Sequence, residues 1–340
     1  MTDEIRAEIE RAGTVPFERF MELALYGDQG FYMRVDGGSA GRRGDFITSP
    51  EVGPLFGVVL GRSLDAEWQR LGRPDPFTVL DVGAGPGTLA RSILAGRPAC
   101  LDALRYFAVE ISEAQRDRHP GGIESRSDLP PEPFEGVIVA NELLDNLPFR
   151  LAVFDAGWRE AFVGLDRSGR LVEVLSQPLD PVLPWLPPHP SLGARAPLVD
   201  RAARFIDDAR GLLQRGTLVC IDYGVPRTAE LALRPWREWL RTYRSNERGG
   251  HYLDDPGGQD ITVDVPFDQL PEPDALRSQS QFLQRWGIGE LVDEGVRVWN
   301  EQASRPGLEA LRMRSRVREA EALLDTTGLG GFHVAEWRVA

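Results

Sequence analysis

The chain has 340 residues, 42% of them hydrophobic and 27% charged, enough for one large domain with insertions or for two domains. Its formal net charge is −13 and its pI about 4.9, a balance that argues against a nucleic-acid surface and suits a cationic ligand. The four histidines are scattered and Cys100 and Cys220 lie far apart, so neither a metal site nor a disulfide framework is indicated.

All 39 basic residues are arginine, which we read as genomic composition. The start lacks a basic and apolar leader, and no apolar stretch reaches membrane-spanning length, so a cytoplasmic protein without membrane insertion is expected.

In chain order, Ile5 and Ile9, then Phe17, Phe20, Met21, Leu23 and Leu25, predict two short helices broken at Gly13–Pro16. An aromatic turn, Tyr26-Gly27-Asp28-Gln29-Gly30-Phe31-Tyr32, follows. A glycine-rich stretch, 37–44, leads into Asp45-Phe46-Ile47-Thr48-Ser49-Pro50-Glu51. There Ser49 reads as a helix N-cap, with Pro50 in the first turn and Glu51 near the positive end. The same cluster of acid, hydroxyls and aromatic suits a loop closing over a ligand. Val52 to Leu71 reads as an amphipathic helix.

Val79-Leu80-Asp81-Val82 then breaks into Gly83-Ala84-Gly85-Pro86-Gly87, ahead of a helix-compatible run, Thr88 to Leu94. Glycines at alternate positions let backbone approach a ligand where a Cβ would clash. A second apolar segment, Tyr106-Phe107-Ala108-Val109, ends in Glu110, 27 residues past Gly83. An acid there, at the end of a neighbouring parallel strand, can accept hydrogen bonds from both hydroxyls of a ribose. A helix over Ser112 to Arg118 and a short strand near Ile123–Arg126 lead to Ser127-Asp128-Leu129-Pro130. Asp128 there either meets an adenine amino group or sits on a surface turn. Val137 to Ala140 is a continuous apolar run, as expected of a central parallel strand covered on both faces. It delivers Asn141, Glu142 and Asp145 to its carboxyl end, where ligands sit in open α/β sheets. Helix-start charge and capping account for such acids equally well; the strand end favours a functional role for Glu142 and leaves Asp145 balanced.

Residues 151–176 alternate as a β-meander inserted into this pattern. After a proline-rich loop, Leu198 to Arg215 reads as a helix stopped by Gly216. It feeds a buried strand, Thr217 to Gly224. Residues 225–276 are polar, proline-rich and punctuated by Trp236, Trp239, Tyr243, His251 and Tyr252, which suggests a packed lid. Helices over Ser278–Trp286 and Leu308–Leu324 precede a closing strand, His333 to Val339. The organisation expected is an N-terminal cap, 1–60, and an α/β domain, 61–340, with insertions 151–196 and 225–276.

The glycine spacing departs from the G-x-G-x-x-G of nicotinamide-binding turns. Asp81, just before it, would repel a pyrophosphate but favours a sulfonium or amino group. Together with Glu110, Asp128 and Asn141 this points to S-adenosylmethionine rather than NAD.

Three segments carry a resemblance: Gly44-Asp45-Phe46-Ile47-Thr48-Ser49-Pro50-Glu51, Asn141-Glu142-Leu143-Leu144-Asp145-Asn146-Leu147-Pro148, and Gln259-Asp260-Ile261-Thr262. On them, with Asp222-Tyr223-Gly224 and Ser280 to Gly287, the chain resembles the MidA family of class I S-adenosylmethionine-dependent methyltransferases. That family includes the mitochondrial complex I assembly-factor protein arginine methyltransferases. The resemblance implies a Rossmann-like seven-stranded sheet with helices on both faces, an N-terminal cap and an inserted lid. It implies that Gly83, Gly85, Gly87, Glu110 and Asp128 hold the cofactor, with Asp45, Thr48 and Ser49 closing the pocket. Two departures stand out. Asp81-Val82-Gly83 replaces a more Glu-Leu-Gly-like turn, and Leu143-Leu144 replaces an aromatic pair that borders the acceptor side. The implied reaction is methyl transfer to an arginine of a protein partner, such as a respiratory-complex subunit. A small-molecule N- or O-methyltransferase is the second reading, and a cofactor-binding assembly chaperone is one of another class. An arginine acceptor needs carboxylates to orient its charged guanidinium. Glu142 is the first candidate, with Asp45 and Asp145 behind it.

Overall fold

The computed structural model describes residues 3–34, 48–244, 247–305 and 307–340. Seven strands form the central sheet: β1 (Phe77–Val82), β2 (Leu104–Val109), β3 (Glu124–Arg126), β4 (Phe134–Asn141), β5 (Leu213–Asp222), β6 (Ala275–Ser278) and β7 (His333–Val339). Their order is β6-β7-β5-β4-β1-β2-β3. β1 to β5 pair in parallel, and β7 runs antiparallel to both β5 and β6.

Alternation along the strands sends side chains to two separate cores. Leu80, Val82, Phe107, Val109, Ile138 and Ala140 face one side, where they pack with α1 (Asp3–Ala12), α2 (Phe17–Tyr26) and α5 (Asp200–Gly211). Val79, Tyr106, Ala108, Val137 and Val139 face the other, against α3 (Leu55–Arg70), α4 (Thr88–Gly96), α6 (Gln279–Arg285), α7 (Ile288–Gln302) and α8 (Leu308–Leu324). Two covered faces explain why these strands read as unbroken apolar runs.

The predicted meander is part of a five-stranded antiparallel sheet. Arg150–Phe154, Trp158–Leu165 and Leu171–Pro178 are joined there by Thr14–Pro16 and Arg195–Leu198. Residues 225–276 are ordered where described. Leu240–Arg244 pairs with Glu247–Arg248 and Asp260–Val263, and Trp239 and Tyr252 are buried.

Several expectations are corrected. The helix expected to run to Arg215 ends at Gly211. Gly216 is not its stop but lies within β5, with φ +146°. Thr48, not Ser49, occupies the cap position of the one-turn helix Ser49–Val52, and α7 was not anticipated. The Ser112–Arg118 helix is a single turn, Glu113–Arg116.

Candidate active site

Register places the ends of the central strands at one rim. Val82 lies level with Val109 on β2 and with Ala140 on β4. The sheet order reverses between β1 and β4, which opens a crevice outside their carboxyl ends. A cavity of about 500 Å³ occupies it, within the range of small-ligand sites.

The glycine turn forms one wall. Gly83 and Ala84 both donate backbone N–H to Val109 O, at 2.9 and 3.1 Å. Gly83, Gly85 and Gly87 all adopt positive φ, +73°, +53° and +75°, which a residue with a Cβ adopts only under strain. Glu110 closes the turn from β2: Oε2 accepts from Gly85 N at 3.0 Å and Oε1 from Ser112 N at 2.9 Å. Burial raises its pKa, and these two N–H groups oppose the rise. Asp81, buried under the turn, accepts from the Tyr106 hydroxyl at 2.9 Å and is pushed up to about 7 by burial. Asp128 lines the far edge as an exposed residue.

The end of β4 supplies the opposite wall. Glu142 takes φ +53°, an uncommon conformation for a residue with a side chain, and its N–H donates to Ile221 O at 2.7 Å. Its Oε1 accepts from Ser49 N at 3.1 Å and from Asn141 Nδ2 at 3.2 Å. Burial pushes its pKa up to about 8, the Ser49 N–H opposing and the Asp145 charge adding. Asn141 Oδ1 is buried without a partner among the described residues. The fully buried Asp222 fixes the turn that follows, accepting from Leu144 N at 2.8 Å and Asp145 N at 3.2 Å.

Asp81, Gly83, Gly85, Glu110, Asp128, Asn141, Glu142 and Thr48 all line the cavity. Three predicted residues do not. Gly87 heads α4 behind the turn. Ser49 donates its N–H to Glu142 and its hydroxyl to Gln279 Oε1 at 2.9 Å. Asp145 turns away, accepting from Thr262 Oγ1 at 2.5 Å and from the Tyr223 hydroxyl. Asp45 lies outside the described residues. The cavity also recruits Glu22, Tyr26, Tyr32, Glu51, Arg201 and Phe205, none of them among the predicted site residues. Of these, Glu51 and the aromatic turn around Tyr26–Tyr32 had a sequence signal, Glu51 as the end of the segment expected to close over a ligand. Glu51 accepts from Thr88 Oγ1 at 2.6 Å and so straps the Thr48–Val52 segment onto α4.

These donors and acceptors fit an adenosyl ligand. A carboxylate offers about four lone-pair sites; Glu110 uses two, which leaves about two that a ligand's hydroxyls would fit. Asn141 Oδ1 is open to a hydrogen-bond donor. Sheet order, glycine turn and acid-lined crevice together define a class I S-adenosylmethionine-dependent methyltransferase. The chain belongs to the family described as "Putative S-adenosyl-L-methionine-dependent methyltransferase", whose model matches residues 59–282, more than half of the chain. It is 28% identical over 314 residues to the Drosophila melanogaster "Protein arginine methyltransferase NDUFAF7 homolog, mitochondrial", covering 78% of this chain and 68% of that protein. To the Homo sapiens protein arginine methyltransferase NDUFAF7 it is 26% identical over 307 residues, covering 77% and 66%. The chain thus spans about two thirds of the length of these relatives. It is also similar to a Burkholderia thailandensis protein crystallised with S-adenosyl-homocysteine, with a TM-score of 0.82 and 28% identity over 99% of this chain and 91% of the other. A native crystal structure from the same organism gives a TM-score of 0.79 at 27% identity, covering 99% and 90%.

The protein is therefore a methyltransferase, with S-adenosylmethionine as its cofactor. Among the described residues no helix is long and apolar enough to cross a membrane. The relatives are named as mitochondrial, so they lend no support to the cytoplasmic placement expected from the sequence.

Proposed function

We propose that this methyltransferase modifies an arginine side chain of a protein partner. One observation carries the reading: the charge of the cavity. Among the described residues, the carboxylates of Glu22, Glu51, Asp81, Glu110, Asp128 and Glu142 line it against the single guanidinium of Arg201. That guanidinium is already paired with Glu18 and Glu22. Burial raises Asp81 to about 7 and Glu142 to about 8, so these two ionise fully near neutral pH only when cations join them; S-adenosylmethionine, with a net charge of about +1, supplies one and a cationic acceptor supplies another. The printed names of the relatives agree with this choice, and the family resemblance points to a respiratory-complex subunit as the partner.

In this reading Glu110 takes the ribose hydroxyls, Asp128 the adenine amino group and the Gly83–Gly85 backbone the body of the cofactor. Asn141 Oδ1 receives an N–H donor, and Thr48 covers the site. When bound, S-adenosylmethionine supplies an electrophilic methyl group on its sulfonium. Glu142 does the orienting. Its Oε1 is held by Ser49 and Asn141, which leaves Oε2 for the acceptor's N–H groups. Alignment of this kind is the largest contribution expected from the protein. Methylation of a guanidinium releases one proton, and the ionised form of Glu142, its proton affinity raised by burial, is placed to receive it.

The test is incubation of a native cell extract with isotopically labelled methyl donor, comparing the wild type with Glu142→Gln. Labelled methylarginine in hydrolysed protein, lost in the variant, is the expected result. Label confined to small molecules would overturn the reading.

A further inference from the structure

Resting on the arginine reading, we infer that the acceptor side chain enters between α2 and α5, and that Tyr26, Tyr32 and Phe205 select a planar guanidinium over an ammonium. Each helix gives the cavity a charged residue and an aromatic one turn apart. They are Glu22 and Tyr26 on α2, and Arg201 and Phe205 on α5. Positions four apart share a helix face about 5–6 Å from one another, so a charged pair and an aromatic pair follow in sequence along one channel. Arg201 meets Glu22 at 2.8 Å and Glu18 at 2.6 Å, ion pairs that tie α5 to α2.

The inner end of the channel meets the reacting end of the site. Tyr26 donates its hydroxyl to Asn146 O at 3.0 Å. The Tyr32 hydroxyl lies 3.1 Å from both Asn146 Oδ1 and Asp260 Oδ1 and shares its one proton between them. Asn146 follows Glu142 by four residues, on the turn that Asp222 anchors. The two rings stack with centroids 5.6 Å apart at 17°. Their hydroxyls are thus engaged in holding the rings still, which leaves the ring carbons to border the cavity. A guanidinium stacks flat on such a surface while its edge donates to a carboxylate. A tetrahedral, strongly hydrated ammonium gains less there. The three-carbon arginine stem suits the apolar walls, Phe205 among them.

The test uses the full chain loaded with S-adenosyl-homocysteine and two probes, N-acetyl-arginine methylamide and the corresponding lysine compound. NMR of ring-labelled tyrosine reports their binding. The arginine probe should shift the Tyr26 and Tyr32 ring signals and bind more tightly than the lysine probe. Tyr26→Leu and Phe205→Ala should each weaken it about tenfold, with affinity for S-adenosyl-homocysteine kept within about twofold. Tyr26→Phe, which keeps the ring, should retain most of the binding. If Tyr26→Leu also loses S-adenosyl-homocysteine, the wild-type ring shifts decide. Binding of the arginine probe that leaves both rings unmoved would sink the channel and spare the arginine reading. Equal binding of the two probes would sink the selectivity, and binding of neither would sink channel and arginine reading together.

Discussion

Glu142 is where conformation and charge meet most directly. Its left-handed backbone directs the side chain to Ser49 and the cavity rather than along the strand, and burial holds its carboxyl protonated to about pH 8. Orienting a guanidinium requires the carboxylate, so kcat/KM should rise with pH through about 8 and level off above it, and kcat should rise at lower pH because the bound cations favour the ionised form. Glu142→Gln should lower kcat by about 10²–10³ and abolish that rise, while calorimetry at pH 6, where the wild-type carboxyl is still protonated, shows S-adenosylmethionine binding nearly unchanged. A rise that persisted in the variant would assign it to another group. His119 makes a separate prediction at the glycine turn. Its Nε2 lies 2.8 Å from Gly85 O, and its Nδ1 2.9 Å from Ser125 Oγ. A carbonyl oxygen only accepts, so Nε2 carries the proton, and the ring holds the carbonyl side of Gly85, the residue whose own N–H meets Glu110. His119→Ala should weaken S-adenosylmethionine binding about fivefold to tenfold, the worth of one such hydrogen bond, with kcat at saturation unchanged. His119→Gln, which keeps an N–H donor at similar reach, should recover part of the loss.

Among the elements, β1, β4 and β5 meet through glycines. A Cβ on Gly136 would lie 1.8 Å from Thr78 O, and one on Gly216 would lie 1.8 Å from Gly136 O. Both residues have φ beyond +140° and below +160°. Gly136→Ala should therefore cost more than about 3 kcal/mol through backbone clash and strain, read as a large drop in Tm or loss of soluble protein. Gly211→Ala, whose Cβ meets nothing within 4 Å at the end of α5, should be neutral or slightly stabilising; equal losses at both sites would refute this account. The same glycines show what was legible in the sequence and what was not. Strands covered on both faces announce themselves as apolar runs, so β1, β4 and β5 and the acids at their ends could be placed. Gly216 misled, because a glycine after a helical run looks like a stop. In fact α5 ends earlier, with Leu212 still in a right-handed conformation. α7 escaped notice because its buried stripe is thin: Ile288, Leu291 and Gly295. At the site, Asn141 and Glu142 follow from strand position, whereas Tyr26, Tyr32, Arg201 and Phe205 reach the cavity only through packing of distant helices. Local periodicity marks their buried faces but not what those faces adjoin.

For the whole molecule, the acid surplus means that the empty cavity is held together less well than the filled one. Glu142 at about 8, Asp81 at about 7 and Asp260 at about 7 all have folded pKa values above their unfolded ones. Such groups bind protons more readily folded than unfolded. The stability they allow is present below the unfolded values near 4 and is lost as pH rises toward 7 to 8. Burial lowers the pKa of His251 and His333, and these contribute in the opposite sense as pH approaches 6.5. A comparison between variants removes them from the result. Relative to the wild type, Glu142→Gln should gain in Tm steadily from pH 5 to pH 8, because glutamine never ionises in the cavity. A cationic ligand should act in the same direction on the wild type by favouring the ionised acids. Present at about a hundred times its Kd, S-adenosylmethionine stabilises the folded state by about 2.7 kcal/mol, and linkage makes its affinity grow with pH as these acids ionise in the complex. At a fixed ligand concentration, the Tm increment should therefore be larger at pH 8 than at pH 6, and flatter in Glu142→Gln. Melting curves at the two pH values, with and without ligand, check both. An increment that shrank with rising pH would show that the ionised acids are not what holds the cation.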